Sequence, residues 1–228
     1  MKRSEINRYI KDGINFFEKH GYILPPFAFF KAEQWLANRE ACREIFDLQL
    51  GWDLTSFGSD DFENVGLLLF TTRNGALNSV KYPKPYAEKI MMVLEEQLTP
   101  CHFHWNKRED IINRGGGNLV MEVWQANEND QLTDREFTLS IDGMVRKFSP
   151  GDKLVLHPGE GVCLEPYIAH CFYGEKGFGP IMVGEVSSVN DDSADNCFIN
   201  GQPRFDNIIE DEDIQFYLAS DYSKLLEG

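Results

Sequence analysis

The order of apolar and polar residues divides the chain into an N-terminal part with helical periodicity and a longer part of short apolar runs. Near the start, apolar residues recur at steps of four, four and three, at Ile6, Ile10, Ile14 and Phe17. This spacing predicts a helix with Ser4 as its N-cap. A second helix is expected over residues 31–43, with Trp35, Leu36 and Ile45 facing inward.

From residue 67 onward the apolar positions form short runs separated by turn residues. The runs lie at 67–70, 90–94, 119–124, 137–141, 153–156, 161–164 and 180–186. Asp142-Gly143, between two of them, predicts a hairpin turn. Many strands at short intervals are typical of a β-sandwich or barrel. We expect residues 63–228 to form a barrel and residues 1–62 a helical extension packed on it, in one structural unit.

Composition and charge narrow the classes of partner. The 228 residues are 42% apolar and include 17 phenylalanines, enough for a large core. The 37 acidic and 22 basic residues give a formal charge of −15, which disfavours nucleic acid as a partner. The five cysteines show no CxxC spacing, and no apolar stretch is long enough to span a membrane. We therefore expect a cytoplasmic protein with no membrane partner.

The candidate chemistry begins at His102 and His104. Side chains at positions i and i+2 point to the same face of an extended chain. Glu109 follows after a four-residue gap, which is long enough for a bend that returns the chain to the same place. Imidazoles and a carboxylate are natural ligands for Mn²⁺, Fe²⁺ or Zn²⁺. His170 could complete this set, because a barrel brings distant strands together across its interior.

These residues form a two-part pattern that resembles the cupin superfamily. The first part is HxH-x4-E with a glycine six residues on, at Gly115, and the second is a later Gly-Asp, a Pro-Gly and Pro166-x3-His170. The second part departs from the common cupin form, because His170 lies eleven residues after Gly159. Over its whole length the chain looks more specifically like the D-lyxose isomerase family of cupins, through the segments 101–117 and 184–192.

The resemblance implies a mainly β fold, a jelly-roll-like cupin β-barrel with an N-terminal helical extension. It implies an aldose–ketose isomerase that interconverts D-lyxose and D-xylulose, with D-mannose and D-fructose as a further pair. It also implies a homodimer and Mn²⁺ as cofactor, with Zn²⁺, Co²⁺ or Fe²⁺ as alternatives. The metal ligands carried over by the resemblance are His102, His104, Glu109 and His170.

Moving a carbonyl between C1 and C2 requires a group that removes a weakly acidic proton, in addition to a metal. Glu185 is the candidate base, because it interrupts the apolar run 180–186; the alternative is a carboxylate that reaches solvent. Lys107 lies two residues before Glu109, where a nearby cation would disfavour its charged form and suit it to proton transfer. The alternative for Lys107 is a solvent-facing loop lysine.

Four further residues are candidates for substrate binding, each with a surface or structural role as its alternative. Lys89 precedes an apolar run and could reach inward to a sugar hydroxyl, and Glu122 interrupts another run, where it could support a ligating histidine. Asp191 belongs to the polar loop 190–196, which could form the rim of the site. Arg204 could close over it. The candidate set is Lys89, Glu122, Asp191 and Arg204.

Two other functions use the same pattern. A non-haem iron oxygenase would need two histidines and a carboxylate with open metal positions, which this chain could also supply. Oxygen consumption would distinguish that enzyme from an isomerase. A sugar-binding regulator without catalysis would bind metal and ligand but show no turnover. It would also need a DNA-binding partner, since no basic recognition helix is present in the sequence.

Overall fold

The computed structural model describes residues 1–191 and 194–226. The helices are α1 (Arg3–Lys19), α2 (Ala32–Ala37), α3 (Arg43–Asp47) and α4 (Tyr222–Leu226), with 3-10 turns at Pro26–Phe29 and Ala219–Asp221. The strands are β1 (Gly51–Thr55), β2 (Leu67–Arg73), β3 (Tyr86–Val93), β4 (Thr99–Phe103), β5 (Glu109–Gly116), β6 (Leu119–Gln125), β7 (Phe137–Ile141), β8 (Met144–Phe148), β9 (Asp152–Leu156), β10 (Gly161–Leu164), β11 (Ile168–Gly174), β12 (Ile181–Ser188) and β13 (Cys197–Phe198). No helix within these residues is both long and apolar enough to cross a membrane.

The strands form two antiparallel sheets. The larger sheet has the order β1-β2-β3-β12-β5-β10-β7-β8, and the smaller has the order β13-β4-β11-β6-β9. Apolar side chains from both sheets meet in one core, to which β3 and β5 contribute Met91 and Ile111 and β6 and β11 contribute Val123 and Phe172. Alternate residues of a strand point to opposite faces, so each sheet turns one face toward this shared interior. The predicted barrel is present.

Strand β2 is apolar at consecutive positions because both of its faces are covered. Leu67 and Leu69 point into the barrel core, whereas Leu68 and Phe70 point to a second core under α1. A strand buried on both faces loses the apolar–polar alternation of a half-exposed one. The continuous run 67–70 in the sequence therefore records a helix on one side of the sheet and the barrel interior on the other.

Helix α1 provides that cover. Its apolar residues Ile6, Ile10 and Phe17 are almost completely buried against the larger sheet. Gly13 allows a close approach, since a Cβ at this position would lie 2.5 Å from Cδ2 of Leu68. The predicted helix is present, but Ser4 is not its N-cap. The helix begins at Arg3, and the Ser4 hydroxyl instead donates to the Asp211 carboxylate at 2.8 Å.

The second predicted helix is wrong in its extent. In place of one helix over 31–43 the chain forms α2 and α3, joined by turns. Helix α2 ends at Ala37, where the side-chain amide of Asn38 donates to the Gln34 carbonyl at 2.8 Å and so competes with the backbone for a helix acceptor. Trp35 is buried as expected, but Leu36 is half-exposed, since the chain turns before a second apolar face can form.

Residues 1–62 are more than a helical extension. They contain β1, which pairs with β2 in register from Gly51–Thr71 to Thr55–Leu67. The C-terminal residues return to the same region, where Trp35 packs against the Tyr222 ring with centroids 5.4 Å apart. Residues 1–62 and 63–226 therefore share one sheet and one core.

Candidate active site

Two neighbouring strands of the smaller sheet bring the histidines together. His102 on β4 lies directly opposite His170 on β11 in the antiparallel register, and their ring centroids are 4.4 Å apart. His104 follows β4, with its ring centroid 5.3 Å from that of His102 and 6.3 Å from that of His170. The structure thus joins residues that lie more than sixty positions apart in the sequence.

Backbone carbonyls hold all three rings in the same tautomer. His102 and His170 each contact, through Nδ1, the carbonyl oxygen two residues earlier, at 2.8 and 3.2 Å. His104 Nδ1 contacts the carbonyl oxygen of Asp195 at 2.6 Å. A carbonyl oxygen only accepts, so each Nδ1 carries the proton and each Nε2 keeps a free lone pair. This is the second contact typical of metal-binding histidines.

Glu109, at the start of β5, faces these rings. Its Oε1 lies 3.3 Å from Nε2 of His104 and 3.4 Å from Nε2 of His170, and its Oε2 lies 2.8 Å from Nζ of Lys107. Burial alone would raise the pKa of Glu109, but the adjacent charge of Lys107 holds this pKa well below its usual range. Glu109 is therefore an ionised carboxylate inside the barrel.

His102 and His170 are neutral for the opposite reason. Burial lowers the pKa of His102 well below its usual value, and the neighbouring rings of His170 and His104 lower it further. Burial also lowers the pKa of His170, although the Glu109 carboxylate opposes the shift. Neutral imidazoles and an ionised carboxylate are the protonation states in which these groups bind a cation.

The donor set fits a divalent metal ion. His104 Nε2 and Glu109 Oε1 are buried acceptors with no hydrogen-bond partner among residues 1–191 and 194–226, and they face each other at 3.3 Å. Two acceptors this close repel unless a proton or cation lies between them. Ligands about 2.1 Å from one ion would be about 3.0–3.4 Å apart, which the two histidine–glutamate separations match. In the described part of the chain, the side chains do not form a ready-made metal site of three or more His, Cys, Asp or Glu residues.

A second charged group adjoins the first. The Lys107 ammonium group also donates to Glu185 Oε1 at 3.0 Å, and Lys89 Nζ lies 3.6 Å from the same oxygen. All three side chains are less than a tenth exposed. Asn190 Oδ1 accepts from Lys89 at 2.6 Å and from Lys107 at 3.4 Å. Glu185 is thus a buried carboxylate between two ammonium groups, next to the histidine cluster.

The histidines, Glu109, Lys107, Lys89 and Glu185 line one cavity. Apolar side chains line the same cavity, and the Phe198 ring contacts both Phe57, at a centroid distance of 5.5 Å, and His102, at 5.2 Å. A cavity of this kind would orient a small polar molecule against its charged groups while its apolar side chains limit the access of water.

Of the candidate substrate residues, the structure brings Lys89 and Arg204 to this cavity. Arg204 is ion-paired with Asp53, which lines an adjoining cavity. Glu122 lies elsewhere: it is paired in register with Cys171, one position from His170, and therefore faces away from the barrel interior. Its carboxylate contacts Lys153 at 3.0 Å and accepts from Tyr173 at 3.2 Å.

Asp191 is also outside the cavity. It is exposed and lines the adjoining cavity, as Asn190 does. Residues 192 and 193, which belong to the predicted rim 190–196, lie outside the described residues. Two other rim residues are at the site, and sequence reasoning singled out neither: Asn196 lines the cavity, and Asn190 contacts both lysines. The signal for Asn190 was its place in the segment 184–192, which carries the family resemblance.

Solved structures and sequence relatives identify the class. The L-ribose isomerase of Cellulomonas parahominis, solved with L-ribose, superposes with a TM-score of 0.61 at 14% identity, over 92% of this chain and 98% of that one. The similarity establishes the fold, and the fold and site together define a cupin-type barrel of the kind found in sugar isomerases.

The chain belongs to the D-lyxose isomerase family, whose model matches residues 1–222. The D-lyxose/D-mannose isomerase of Escherichia coli O157:H7 is 51% identical over 223 residues, covering 97% of this chain and 98% of that protein. The enzyme of the same name from Serratia proteamaculans is 48% identical over 227 residues, covering 99% and 100%. The family predicted from the sequence is confirmed.

Proposed function

We propose that this protein interconverts D-lyxose and D-xylulose by moving a proton between C1 and C2, and that D-mannose and D-fructose are a second substrate pair. The observation that carries the proposal is the membership of the whole chain in one family. Its relatives are about half identical over nearly their full length and are named D-lyxose/D-mannose isomerases. The buried charged cavity supplies groups that suit this chemistry.

The proposal includes a divalent metal ion, with Mn²⁺ as the preferred ion and Zn²⁺, Co²⁺ or Fe²⁺ as alternatives. The residues that would hold it are His102, His104, Glu109 and His170. Its support is the facing pair of buried acceptors and the neutral histidines. An ion bound there would act as a Lewis acid and stabilise negative charge on the two reacting substrate oxygens.

Glu185 is the proposed base. Its carboxylate takes the proton from C2 of the aldose, and the electron pair of the broken C–H bond forms a C1=C2 double bond. The π electron pair of the C1=O1 carbonyl moves onto O1. Return of the proton to C1 and loss of the O2 proton give the ketose. Two ammonium groups beside Glu185 hold its carboxylate in place. General acid–base catalysis of this kind contributes about 10²–10⁴-fold to the rate.

Lys107 is proposed to serve the oxygens. Its ammonium group bridges Glu109 and Glu185 and can donate a proton to O1 as that oxygen gains charge. The O2 hydroxyl then loses its proton to Lys107, which restores the ammonium group. Lys89, with Asn190 beside it, and Arg204 are left to hold the remaining hydroxyl groups. In this proposal Glu122 and Asp191 have no contact with the sugar.

The test is to incubate the Mn²⁺-loaded protein with D-lyxose in D₂O and to follow the products by NMR. We expect D-xylulose with deuterium at C1 and, at equilibrium, D-lyxose with deuterium at C2. Chelation should abolish turnover, and added Mn²⁺ should restore it. An absence of product from both D-lyxose and D-mannose contradicts the proposed function. Product without deuterium contradicts proton transfer through solvent-exchanging groups, but it remains consistent with the proposed isomerase activity.

We also propose that the protein is a cytoplasmic homodimer. All five cysteines are free, which suits a reducing compartment. Two-fold dimers are the commonest soluble assemblies, which supports a dimer over other oligomers. Light scattering of the purified protein should give twice the chain mass of 26.2 kDa. Cell fractionation tests the location, since recovery with the membrane or periplasmic fraction contradicts it.

A further inference from the structure

Asp195 binds three consecutive backbone amides of the loop that joins β4 to β5. Its Oδ1 accepts from the N–H of Trp105 at 3.0 Å and of Asn106 at 2.9 Å, and its Oδ2 accepts from the N–H of Lys107 at 2.8 Å. The side-chain amide of Asn106 adds a fourth donor at 3.1 Å. Asp195 is only 8% exposed, so the protein itself provides most of the solvation of this carboxylate.

The backbone of the same residue holds the preceding position of the loop. The carbonyl oxygen of Asp195 is the 2.6 Å partner of Nδ1 of His104. One residue therefore contacts four consecutive positions, 104–107. The two ends of this loop are tied elsewhere, since the His104 carbonyl accepts from Tyr167 N–H and the Arg108 carbonyl from Ser188 N–H, both at 2.9 Å.

We propose that Asp195 is a positioning residue of the active site, which holds loop 104–107 so that His104 and Lys107 face Glu109 and Glu185. This inference rests on the proposed isomerase function. Three amide N–H groups in a row would otherwise need partners that a four-residue loop cannot provide for itself. The carboxylate accepts hydrogen bonds from all three N–H groups and so selects one loop conformation, because charge-assisted hydrogen bonds are shorter and stronger than neutral ones.

The position of this loop matters for the chemistry. Lys107 Nζ must lie between two carboxylates, at 2.8 and 3.0 Å, and its own N–H is one of the amides that Asp195 binds. A displacement of about 1 Å can cost about 10²-fold in rate. Loss of a partner that orients a ligating histidine typically costs about 10–100-fold. Asp195 acts on both His104 and Lys107, although it does not reach the cavity itself.

The test compares Asp195→Asn with Asp130→Asn. The Asp130 carboxylate contacts the same loop, since it accepts from Nε1 of Trp105 at 2.7 Å. This control therefore also removes one carboxylate charge beside the loop, but it leaves the backbone amides undisturbed. In Asp195→Asn the new amide group opposes an N–H donor. We expect kcat for D-lyxose to fall about 10–100-fold with KM within about threefold, and Asp130→Asn to resemble the wild type.

A second measurement does not depend on turnover. Hydrogen exchange of the amides of Trp105, Asn106 and Lys107, followed by ¹⁵N NMR, should be slow in the wild type and at least tenfold faster in Asp195→Asn, but unchanged in Asp130→Asn. This readout stands even if D-lyxose is not a substrate, so it separates failure of this inference from failure of the proposed function. Unchanged exchange contradicts the anchoring of the loop.

A merely structural role for Asp195 predicts a lower Tm with an unchanged kcat in the folded fraction, and that result overturns the proposal. Asp195→Ser provides the same comparison if Asp195→Asn does not fold, because its shorter hydroxyl still accepts one amide. We expect Asp195→Ser to lose activity and amide protection together. Loss of protection with full activity would show that the loop needs no anchor for catalysis.

Discussion

Two buried groups of charged side chains lie in this protein, and they differ in how completely they are hydrogen-bonded. Around Arg3 the guanidinium donates to both oxygens of Asp221, at 2.9 and 2.8 Å, and to both oxygens of Glu210, at 2.9 and 3.0 Å. In the barrel, by contrast, His104 Nε2 and Glu109 Oε1 face each other as acceptors with no donor from any residue that the structure describes.

The difference separates a structural role from a functional one. The Arg3 cluster is complete, and it ties the first helix to residues more than two hundred positions away. The barrel cluster is incomplete. Buried polar groups are normally satisfied, so facing acceptors inside a core suit the metal site that we propose. The Arg3 cluster stabilises the fold, whereas the barrel cluster has two acceptors that could bind a cation.

The largest effect should come from Glu185→Gln. The amide keeps the size of the side chain but cannot accept the proton, so we expect activity on D-lyxose to fall by about 10²–10⁴-fold. Bound metal should stay near one per chain, since the proposed metal ligands are untouched. Steady-state kinetics and metal analysis measure the two quantities.

The matched control for Glu185→Gln is Glu122→Gln, the same substitution on the outer side of the smaller sheet. It should leave kcat within about twofold, because this carboxylate contacts Lys153 and Tyr173 near the surface. Full activity of Glu185→Gln, or an equal loss in the control, would remove Glu185 from the mechanism.

Arg3→Met should be the next largest, and it should act on stability rather than on activity. Removal of the guanidinium leaves Asp221, which is almost completely buried, with an uncompensated charge apart from Lys224. Breaking a buried ion pair costs about 3–5 kcal/mol, and each kcal/mol lowers Tm by about 2–4 °C in a chain of this size. Thermal and denaturant unfolding measure the loss, while kcat well below Tm should be unchanged.

Arg8→Met serves as the comparison for Arg3→Met, since its ion pair with Glu63 is exposed. Its effect on the free energy of unfolding should be below about 1 kcal/mol. Equal effects of the two substitutions would mean that the buried cluster contributes no more than a surface pair.

A smaller effect should appear on acidification of the metal-free protein. The folded pKa values of His102 and His170 lie below the usual 6.5, so below about pH 6.5 the unfolded chain binds protons that the folded protein does not. The free energy of unfolding should therefore decrease as pH falls, by at most about 1.4 kcal/mol per pH unit for each histidine. Denaturant unfolding at about pH 7.5 and about pH 5.5 measures this slope.

The Arg3 cluster should respond only to stronger acid. Hydrogen bonds from Arg3 are the main cause that lowers the pKa of Glu210 to about 2. The contribution of this carboxylate to stability is therefore present above about pH 4.5 and is lost as pH falls toward 2.

His170→Gln tests the effect of the histidines. In this variant the free energy of unfolding should change less between about pH 7.5 and about pH 5.5 than it does in the wild type. A slope equal to that of the wild type would contradict burial of a neutral imidazole at this position.

Much of the architecture could be read from local pattern. The steps of four, four and three from Ile6 to Phe17 predicted α1, and Asp142-Gly143 predicted the β7–β8 hairpin, which pairs Ile141 with Met144. Strand β1 was missed, because its residues Gly51–Thr55 follow a helical stretch and show no separate apolar run. The helix predicted over 31–43 failed where the side chain of Asn38 competed for the helix carbonyls.

The candidate site divides in the same way. Residue type and spacing singled out His102, His104 and Glu109, and a charge in an apolar strand singled out Glu185; the structure brings all of these to one cavity. Glu122 interrupted an apolar strand in the same manner, yet its side chain faces outward. Strand alternation assigns residues to two faces but does not say which face is inside.

The sequence by itself determined the family, the kinds of element and the residues able to bind a cation or move a proton, since these depend on residue type and on spacing along a few turns or strands. Only the tertiary structure decided that Asp195 holds the loop at 104–107, that Asn190 reaches the two lysines, and that Arg3 joins the ends of the chain. Such contacts span about 80 to 220 residues, and no local periodicity encodes them. They exist only once the barrel closes and brings distant backbone within hydrogen-bonding distance.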